Sequence, residues 1–416
     1  MRDRELYQQI LGIGRPWSVD KVDLQRETRQ VIVKVVRDKR AALECPECGT
    51  RGTGYDHRVR RWRHLDTCQY QTILEAEIPR LRCKVHGVRQ TSVPWAEEGS
   101  RFTALFEALV IDWLHESTLT GVAGQLGLSW DEVSGVQERA VRRGLARRKL
   151  KPMTRIGVDE TSFQRRHEYV TVVIDQEQSK VVHVADGRGK DALEGFYQQL
   201  GAENCAAIEH VAMDMWGPYI TVTKRYVPEA EKRIAFDKFH VAQHLGNAVD
   251  KVRRQENKEL QAEGDERLKG TKWSWLKNPG NMSALASWSF SKLRGSRLKV
   301  ARAWALKEAA MCLWDYTLRG WASRAWKKWY AWAIRCRLEP VKKVARMIAR
   351  HWDGVITAAI SGITNAASEG MNGKIQRLKA RAYGYRNRER FRNAIYFHLG
   401  GLDLYPDSIR SAHQIS

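Results

Sequence analysis

Hydrophobic positions in the first hundred residues are spaced as in β-strands. Residues 72–74 and 78–81 are short strand-like stretches that include Thr72, Ile73 and Ile78, and β-branched side chains such as these favour a sheet. From residue 101 the apolar spacing changes to three and four, as on one face of a helix. That face carries Phe102, Leu105, Phe106, Leu109 and Trp113. The pattern therefore predicts a strand-rich region followed by helices.

Two more helices are predicted directly after this one. Residues 120–126 form a short helix, Gly127-Leu128 a turn, and Ser129 with Glu132 a capping box that opens a third helix. This spacing is typical of a helix-turn-helix unit. The third helix is expected to present residues to a DNA major groove, and its basic tail to the phosphate backbone. These residues are Ser134, Gln137 and Arg139, followed by Arg142, Arg143, Arg147, Arg148 and Lys149.

After Pro152 the pattern turns to alternating strands and helices. The predicted elements are strands at 155–159, 169–174 and 181–185, a helix at 191–200, a strand at 209–214, a helix at 218–226 and a strand at 232–236. Three sequential strands with short links predict an antiparallel meander, and the rest alternate as crossover units. This order matches the RNase H-like fold, in which the first and fourth strands are neighbours.

Two aspartates lie at the ends of the strands that this fold places side by side. Asp159 ends the first strand and Asp214 ends the fourth. Alternation along the first strand puts Asp159 on the opposite face from Glu160, which makes Glu160 the poorer ligand candidate. Turn formation explains one such aspartate, but two at these positions favour a shared site.

Residues 241–355 are predicted to form an all-α insertion. Ten of the 16 tryptophans lie there, and a stripe such as Trp321, Trp329 and Trp332 is more typical of a core than of a DNA-stacking surface. The segment that begins at Asn365 then predicts a helix with Glu369 in its first turn. The basic residues of this helix, expected to lie near bound DNA, are Lys374, Arg377, Lys379 and Arg381.

The charge of the chain indicates a polyanionic partner. Its 71 Lys and Arg against 48 Asp and Glu give a net charge of +23, and a protein this basic is expected to bind nucleic acid. No apolar run approaches the roughly 20 residues of a membrane span, and the N-terminus does not begin as a signal peptide. We therefore expect no membrane partner and a cytoplasmic protein that associates with nucleic acid. A length of 416 residues fits two to four domains.

The N-terminal cysteines are arranged as metal ligands. Cys45 and Cys48 form a CxxC turn followed by Gly49, and Cys83 with His86 repeats the spacing before another glycine. Sulfur and nitrogen ligands in this arrangement suit structural Zn²⁺. Three other residues remain alternatives for one ligand: His57, His64 and Cys68.

A basic stretch with one aromatic residue lies between the two cysteine pairs. Its arginines suit phosphate contact, and Trp62 suits stacking. The competing interpretation is an edge strand that carries charge against aggregation. The four arginines are Arg58, Arg60, Arg61 and Arg63.

Several stretches of the chain resemble the ISL-three group of bacterial insertion-sequence transposases, which belong to the DDE superfamily. The similarity covers nearly the whole chain. Besides the two metal-ligand pairs, it rests on the sequences at 61–66, 157–160, 213–216 and 368–372, the last running on to 382–387. A motif of related transposases that carry an insertion is similar to Asp237-x-x-His240, which we take as structural neighbours of the site.

The resemblance implies a catalytic triad of Asp159, Asp214 and Glu369 that binds Mg²⁺ or Mn²⁺. The implied partners are the double-stranded DNA of transposon ends and target, with the protein acting as a homodimer on DNA. The fold class is a multidomain α+β protein with an RNase H-like core. The predicted domains are 1–98 (zinc-binding DNA recognition), 99–150 (helix-turn-helix), 151–240 (catalytic core, first part), 241–355 (all-α insertion) and 356–416 (catalytic core, second part, with a basic C-terminal helix).

Two other functions remain open from the sequence. One is a non-enzymatic DNA-binding regulator that uses the zinc region and the helix-turn-helix and retains the core as a scaffold. The other is an RNase H-like nuclease of repair or RNA processing. All three acids of the triad are present, which favours the enzyme over the regulator. The large recognition region favours a transposase over a general nuclease.

Overall fold

The computed structural model describes residues 3–164, 168–363 and 366–409. Contacts divide the chain into two compact units, one formed by residues 1–148 with 396–416 and the other by residues 149–395. The boundary at 395/396 falls within a single helix. The five sequence-predicted domains, of which 356–416 crosses this boundary, stay a prediction.

The first unit opens with a mixed five-stranded sheet. Its elements are α1 (Asp3–Ile10), β1 (Trp17–Gln25), β2 (Gln30–Arg37), β3 (Thr53–Thr67), β4 (Tyr70–Cys83) and β5 (Gly87–Gln90). The strand order is β1-β2-β4-β3, with β5 also paired to β4. The β2–β4 pair is parallel and the others are antiparallel. The strand pattern in the sequence predicts parts of β4 but not α1, β1 or β2.

Tryptophans form the core of this sheet. Trp62 on β3 is only 2% exposed and packs edge-on against Trp95, which packs in the same way against Trp17. A buried indole offers no face to a base, so the expectation that Trp62 stacks on nucleic acid is wrong. The strand β3 itself lies at the edge of the sheet, as the competing interpretation of this stretch requires.

Three capped helices complete the first unit. They are α2 (Ala104–Glu116), α3 (Leu119–Leu126) and α4 (Trp130–Arg147). The predicted capping box is confirmed, because Ser129 and Glu132 bind each other's backbone N–H groups. Gly127 ends α3 with a φ of 63°, a left-handed conformation that suits glycine. The helix boundaries therefore follow from local capping chemistry.

The second unit contains another five-stranded sheet. Its strands are β6 (Arg155–Gln164), β7 (Glu168–Asp175), β8 (Lys180–Asp186), β9 (His210–Met213) and β10 (Ile234–Phe236), and the helices among them are α5 (Lys190–Leu200), α6 (Ala202–Ala206), α7 (Gly217–Tyr226) and α8 (Ala230–Arg233). The order is β10-β9-β6-β7-β8. Strands β6, β7 and β8 form the predicted antiparallel meander, and β9 pairs with β6 in parallel. The prediction that the first and fourth strands are neighbours is confirmed.

Helices fill the rest of the second unit. They are α9 (Lys238–Ala262), α10 (Lys272–Leu276), α11 (Ala284–Arg294), α12 (Lys299–Cys312), α13 (Arg319–Arg335), α14 (Glu339–Arg350), α15 (Trp352–Ser361), α16 (Ala366–Arg381) and α17 (Arg388–Leu399), with 3-10 turns at Pro279–Asn281, Leu313–Asp315 and, in the first unit, Asp407–Ile409. In the buried interior, the Glu256 carboxylate of α9 accepts the backbone N–H groups of Lys299 and Val300 at 2.6 and 2.8 Å. It thereby satisfies free donors at the start of α12. Among the described helices, none has the length and apolar character needed to cross a bilayer.

Candidate functional site

Four metal-ligand side chains meet at one end of the first sheet. Their ligand atoms all lie within 4.8 Å of one another, and they belong to Cys45, Cys48, Cys83 and His86. The Sγ atoms of Cys48 and Cys83 are 3.7 Å apart, and Nδ1 of His86 lies 3.7 Å from both Cys45 and Cys83. Ligands on tetrahedral zinc, with Zn–S bonds of about 2.3 Å, are separated by about 3.8 Å. The cluster therefore fits Zn²⁺ in size and in donor type.

The backbone and a neighbouring carboxylate shape this cluster. Gly49 and Gly87 each follow a ligand pair with a φ of 69°, as the two knuckles require. Nε2 of His86 faces the Glu47 carboxylate at 3.5 Å, which leaves Nδ1 directed at the cysteines. Backbone N–H groups of His86 and Val85 lower the pKa of Cys83 to about 5, which favours the thiolate that a metal binds.

The three alternative ligands lie elsewhere in the first unit. Cys68 is exposed in the turn between β3 and β4, and His57 faces Glu77 at 3.8 Å. His64 is buried against the Thr103 hydroxyl at 2.8 Å, and burial lowers its pKa to about 4. None of these three belongs to the cluster that the described residues form, so His86 is the fourth side chain.

Strand register brings Asp159 beside Asp214 in the second unit. The parallel pairing of β6 with β9 ends at Val158 and Met213, so the two aspartates are the next residues on neighbouring strands. Strand β6 continues to Gln164, which corrects the expectation that Asp159 ends its strand. Asp159 lies instead in mid-strand, at the point where the shorter β9 stops.

The environment of Asp159 and of its neighbour Glu160 opposes their ionisation. Burial, with added repulsion from Asp214 and Glu160, raises the pKa of Asp159 to about 7. Burial also raises the pKa of Glu160, although the Arg188 guanidinium opposes that rise. Carboxyl groups crowded in this way are stabilised as carboxylates when a cation joins them.

One histidine contacts the pair. Nε2 of His240, in the first turn of α9, lies 2.8 Å from Asp214 Oδ1, and this contact raises the pKa of the imidazole. Asp237 caps the same helix by accepting the N–H of Phe239 at 2.9 Å. The cap fixes the start of α9 and so positions His240 against Asp214.

Helix α16 lies along β6 on the face that carries Asp159. Asn372 donates a hydrogen bond to Asp159 Oδ2 at 2.7 Å, and Gln376 donates to Thr161 at 2.7 Å. A Cβ built on Gly157 would lie 2.2 Å from the Ser368 hydroxyl, so only glycine permits this approach. The contact with Asp159 makes Asn372 a site residue, although the sequence marks it only as one position of the motif at 368–372.

Glu369 lies in the first turn of α16 and is exposed. It precedes Asn372 by one helical turn, and side chains three residues apart on a helix have Cβ atoms about 5–6 Å apart. In the part of the chain that the structure describes, no set of three carboxylates lies close enough to hold a single ion. The helix thus brings Glu369 to the edge of the site but not into contact with both aspartates. Asn365, from which this helix was predicted to begin, lies outside the described residues.

A cation held between two rings borders the same site. The guanidinium of Arg188 lies 4.7 Å from the ring centroids of both Tyr169 and Trp216, and 3.4 Å from the Glu160 carboxylate. Trp216 in turn donates its indole N–H to the Arg188 carbonyl at 2.9 Å. The sequence pattern does not predict Arg188 as a site residue, because the residues it contacts are remote in sequence.

Both units match family models of known transposases. Residues 156–395, more than half of the chain, match the ISL3 transposase model. Residues 42–86 match the zinc finger of the IS204/IS1001/IS1096/IS1165 transposases, and residues 91–141 match the helix-turn-helix domain of transposase family ISL3. The chain belongs to the ISL3 family of DNA transposases.

Two curated relatives extend over almost the whole transposase. It is 29% identical to the transposase for insertion sequence element IS1557 of Mycobacterium tuberculosis, over 93% of each chain. It is 26% identical to the transposase for insertion sequence element IS1001 of Bordetella parapertussis, over 94% of this chain and 97% of the relative. The predicted family and enzyme class are therefore confirmed, and the protein is not merely a DNA-binding regulator.

The predicted DNA-contact residues of α4 differ in how far they are exposed. Gln137 is 5% exposed, and the Arg143 side chain pairs with the buried Glu107 at 3.0 Å. These two residues therefore face the interior of the transposase and are removed from the candidate DNA contacts. Arg139 also pairs with Glu107, whereas Ser134 is partly exposed and Arg142 is exposed.

The four predicted DNA-contact arginines of the edge strand β3 also differ in their exposure and pairing. Arg61 pairs with Glu75 at 2.6 Å, and the Arg63 side chain is 10% exposed, with its guanidinium over the Phe106 ring. Arg58 is exposed, and Arg60 lies beside Trp62 with part of its side chain accessible. Arg58 and Arg60 are therefore the better placed of the four for phosphate contact.

The predicted basic residues of α16 also differ in their surroundings. Lys379 donates to the Ser162 carbonyl at 2.9 Å and so anchors the helix to β6. Lys374, Arg377 and Arg381 are exposed on the same helix. These three side chains lie within the helix that carries Glu369 and are accessible to DNA.

Proposed function

We propose that this transposase cuts and joins DNA at Asp159, Asp214 and Glu369, with Mg²⁺ or Mn²⁺ as the cofactor. In this proposal the second unit is an RNase H-like core interrupted by the all-α insertion at 241–355. The support is the strand order β10-β9-β6-β7-β8, with β6–β8 antiparallel and β9 and β10 parallel to β6. The inserted helices lie in sequence between Asp214 and Glu369, which accounts for the long separation of these acids.

The observation that carries the proposal is the pairing of β6 with β9 up to Val158 and Met213. It brings two acids from distant parts of the chain to adjacent positions. Burial, with repulsion from Asp214 and Glu160, raises the Asp159 pKa to about 7 even though His240 lies beside Asp214, so the one imidazole does not offset the crowding of these acids. Oxygen donors of this kind are the ligands that Mg²⁺ and Mn²⁺ prefer.

Divalent ions bound by these carboxylates would activate the attacking oxygen and stabilise the leaving oxygen of the phosphodiester. The protein's own residues orient the acids. Asn372 holds one oxygen of Asp159, and His240 holds one oxygen of Asp214. Glu369 would complete the set by turning inward from the exposed first turn of α16 when metal and DNA are bound.

DNA recognition is proposed for the first unit. Arg58 and Arg60 on β3, with Ser134 and Arg142 on α4, are sequence-predicted contacts whose side chains are exposed or partly exposed. The zinc cluster would hold the loop before β3 and the end of β4 in place. Because a transposon has two ends, we propose that the active form on DNA is a homodimer.

The test is substitution of Asp159 in the full-length protein. We expect Asp159→Asn to bind terminal-repeat DNA as the unchanged protein does, yet to lose Mg²⁺-dependent cleavage by at least about 10²-fold, because a metal ligand is removed. The assays are a gel-shift titration with end DNA and a strand-transfer assay on supercoiled plasmid.

A matched control separates the site from general charge effects. Glu203→Gln removes an exposed acid on α6 and should leave both binding and cleavage unchanged. Retention of full cleavage by Asp159→Asn would refute the catalytic assignment, whereas loss of DNA binding by that variant would indicate misfolding.

A further inference from the structure

Helix α13 carries two kinds of tryptophan. Trp326 and Trp329 are buried: their rings pack edge-on at 5.5 Å, and Trp329 donates its indole N–H to the Leu306 carbonyl at 2.8 Å. Trp321 and Trp332, in contrast, are 58% and 49% exposed. Of the predicted core stripe of Trp321, Trp329 and Trp332, only Trp329 is therefore part of the core. Large exposed aromatic side chains on a folded domain commonly mark a binding surface.

The two exposed indoles lie at the ends of one groove. Trp332 follows Trp321 by 11 positions, about three helical turns, so the two share a face of α13 with roughly 16 Å between them along the axis. Arg324 and Lys328 lie between them on that face, and Leu313 with its neighbours forms the opposite wall. The cavity measures about 470 Å³, within the range of ligand sites. We call it the α13 groove.

The positive charge of the groove favours a polyanion over an apolar protein surface as its occupant. Residues 313–337 contain six Lys and Arg but one Asp, and of the described side chains that line the groove none is acidic. An apolar protein surface would bury Arg324 and Lys328 without counter-charges, which is costly. A polyanion instead supplies the missing charge.

The order of side chains along the groove is aromatic, cation, cation, aromatic. Proteins that hold unpaired nucleic acid use this combination, in which bases stack on aromatic rings and phosphates lie near cations. Bases in an intact duplex are stacked on one another, so their faces are closed to an indole. The Arg324 guanidinium lies 5.4 Å from the Trp321 centroid, which places a cation directly beside a stacking surface.

We propose that the α13 groove binds unpaired DNA, with bases stacked on Trp321 and Trp332 and the backbone near Arg324 and Lys328. This is a second DNA site of different specificity from the zinc and helix-turn-helix region. It would hold the strand freed when a transposon end is opened. The proposal needs only the family's action on DNA, and it is independent of the acids assigned above.

The experiment compares single-stranded and duplex binding by the full-length protein. The probes are fluorescent oligo-dT of roughly 12 nucleotides and a duplex of the same length, measured by anisotropy. Stacking of one base contributes about 1–3 kcal/mol. Trp321→Ala and Trp332→Ala should therefore each weaken oligo-dT binding roughly 5- to 100-fold, with duplex binding unchanged. Trp321→Phe should retain most of the single-strand affinity, because a smaller ring remains.

Trp273→Ala is the matched control, since Trp273 is 62% exposed and lies outside the groove. It should leave oligo-dT binding unchanged. Photo-crosslinking with 5-iodouracil DNA should label α13 in the unchanged protein, and Asp159→Asn should crosslink equally, which keeps this proposal separate from the catalytic one. Thermal melting of each variant checks that it is folded.

Two results would overturn the proposal. The first is unaltered oligo-dT affinity in folded Trp321→Ala and Trp332→Ala, or an equal loss in Trp273→Ala. The second is a change of oligomeric state by light scattering in Trp321→Ala with single-strand binding intact, which would assign the groove to a second copy of the chain.

Discussion

Asp159 shows how far one side chain depends on its surroundings. An aspartate in water ionises near pH 4, but burial beside Asp214 and Glu160 raises the Asp159 pKa to about 7. Asn372 and the Glu160 N–H, at 2.7 and 2.8 Å, favour the carboxylate, but not enough to offset burial. The protein therefore maintains this acid at a cost in stability unless a cation is bound.

This cost predicts a pH-dependent effect of Asp159→Asn on stability. The raised pKa means that the folded state holds the proton more tightly than the unfolded state, whose pKa is near 3.8. The stabilising contribution of the protonated acid is complete below that value and is lost as the pH rises to about 7. Without added Mg²⁺, Asp159→Asn should therefore gain stability relative to the unchanged protein across this window, by on the order of a few kcal/mol at pH 8.

Thermal melts of both proteins at about pH 5, 6, 7 and 8 measure this difference. The gap in Tm should widen up to pH 7 and remain constant above it. Added Mg²⁺ should narrow the gap, since it stabilises only the protein that retains the carboxylate. A gap that is independent of pH would show that Asp159 does not titrate in this range.

At the scale of elements, the zinc cluster joins segments that otherwise have little core. Cys45 and Cys83 pack with Leu43 and Leu81 in a small apolar cluster of their own. The main core of the sheet is built separately around Trp17, Trp62 and Trp95. The turn at Cys45–Cys48 and the end of β4 therefore depend on the metal more than the middle of the sheet does.

Zinc removal should loosen this end of the sheet selectively. Structural zinc contributes on the order of 10–16 kcal/mol in small modules. In hydrogen exchange of the full-length protein, a zinc chelator should expose residues 42–52 and 83–90 while β2 and the centre of β4 stay protected. Cys68→Ser removes an exposed thiol outside the cluster and should change neither pattern. Unchanged exchange at 42–52 after chelation would contradict the metal assignment.

At the scale of the whole molecule, the net charge of +23 dominates association with DNA. Many of the basic residues are paired internally, as Arg143 is with Glu107, so the number of phosphate contacts is far smaller than the number of cations. We expect 6–10 contacts, comparable to those of other DNA-binding proteins, and hence a loss of roughly 10³ to 10⁵ in affinity between 50 and 200 mM salt.

Anisotropy titrations of end DNA across that salt range measure the slope. Arg58→Ala and Arg142→Ala should each reduce it by about one contact, because both side chains are exposed. Arg143→Ala should leave the slope unchanged while lowering stability, since it leaves Glu107 buried and short of a partner. A slope near zero for the unchanged protein would contradict electrostatic binding.

The amino-acid sequence by itself determined what depends on near neighbours. The zinc knuckles, the capping box at Ser129 and the strand character of β6 and β7 each depend on a few neighbouring residues, so they can be predicted from the sequence alone. The sequence of strands and helices in the second unit was predicted from local strand and turn patterns. It was enough to identify Asp159 and Asp214 as candidate metal ligands.

Only the tertiary structure decided which residues meet. It placed Asn372 on Asp159 and Arg188 on Glu160, it buried Gln137 and exposed Trp321, and none of these is visible in periodicity. The reason is physical: whether a side chain is paired, buried or free depends on the residues packed against it, and those are usually distant in sequence. A pattern along the chain reports which face a residue lies on, but not what covers that face.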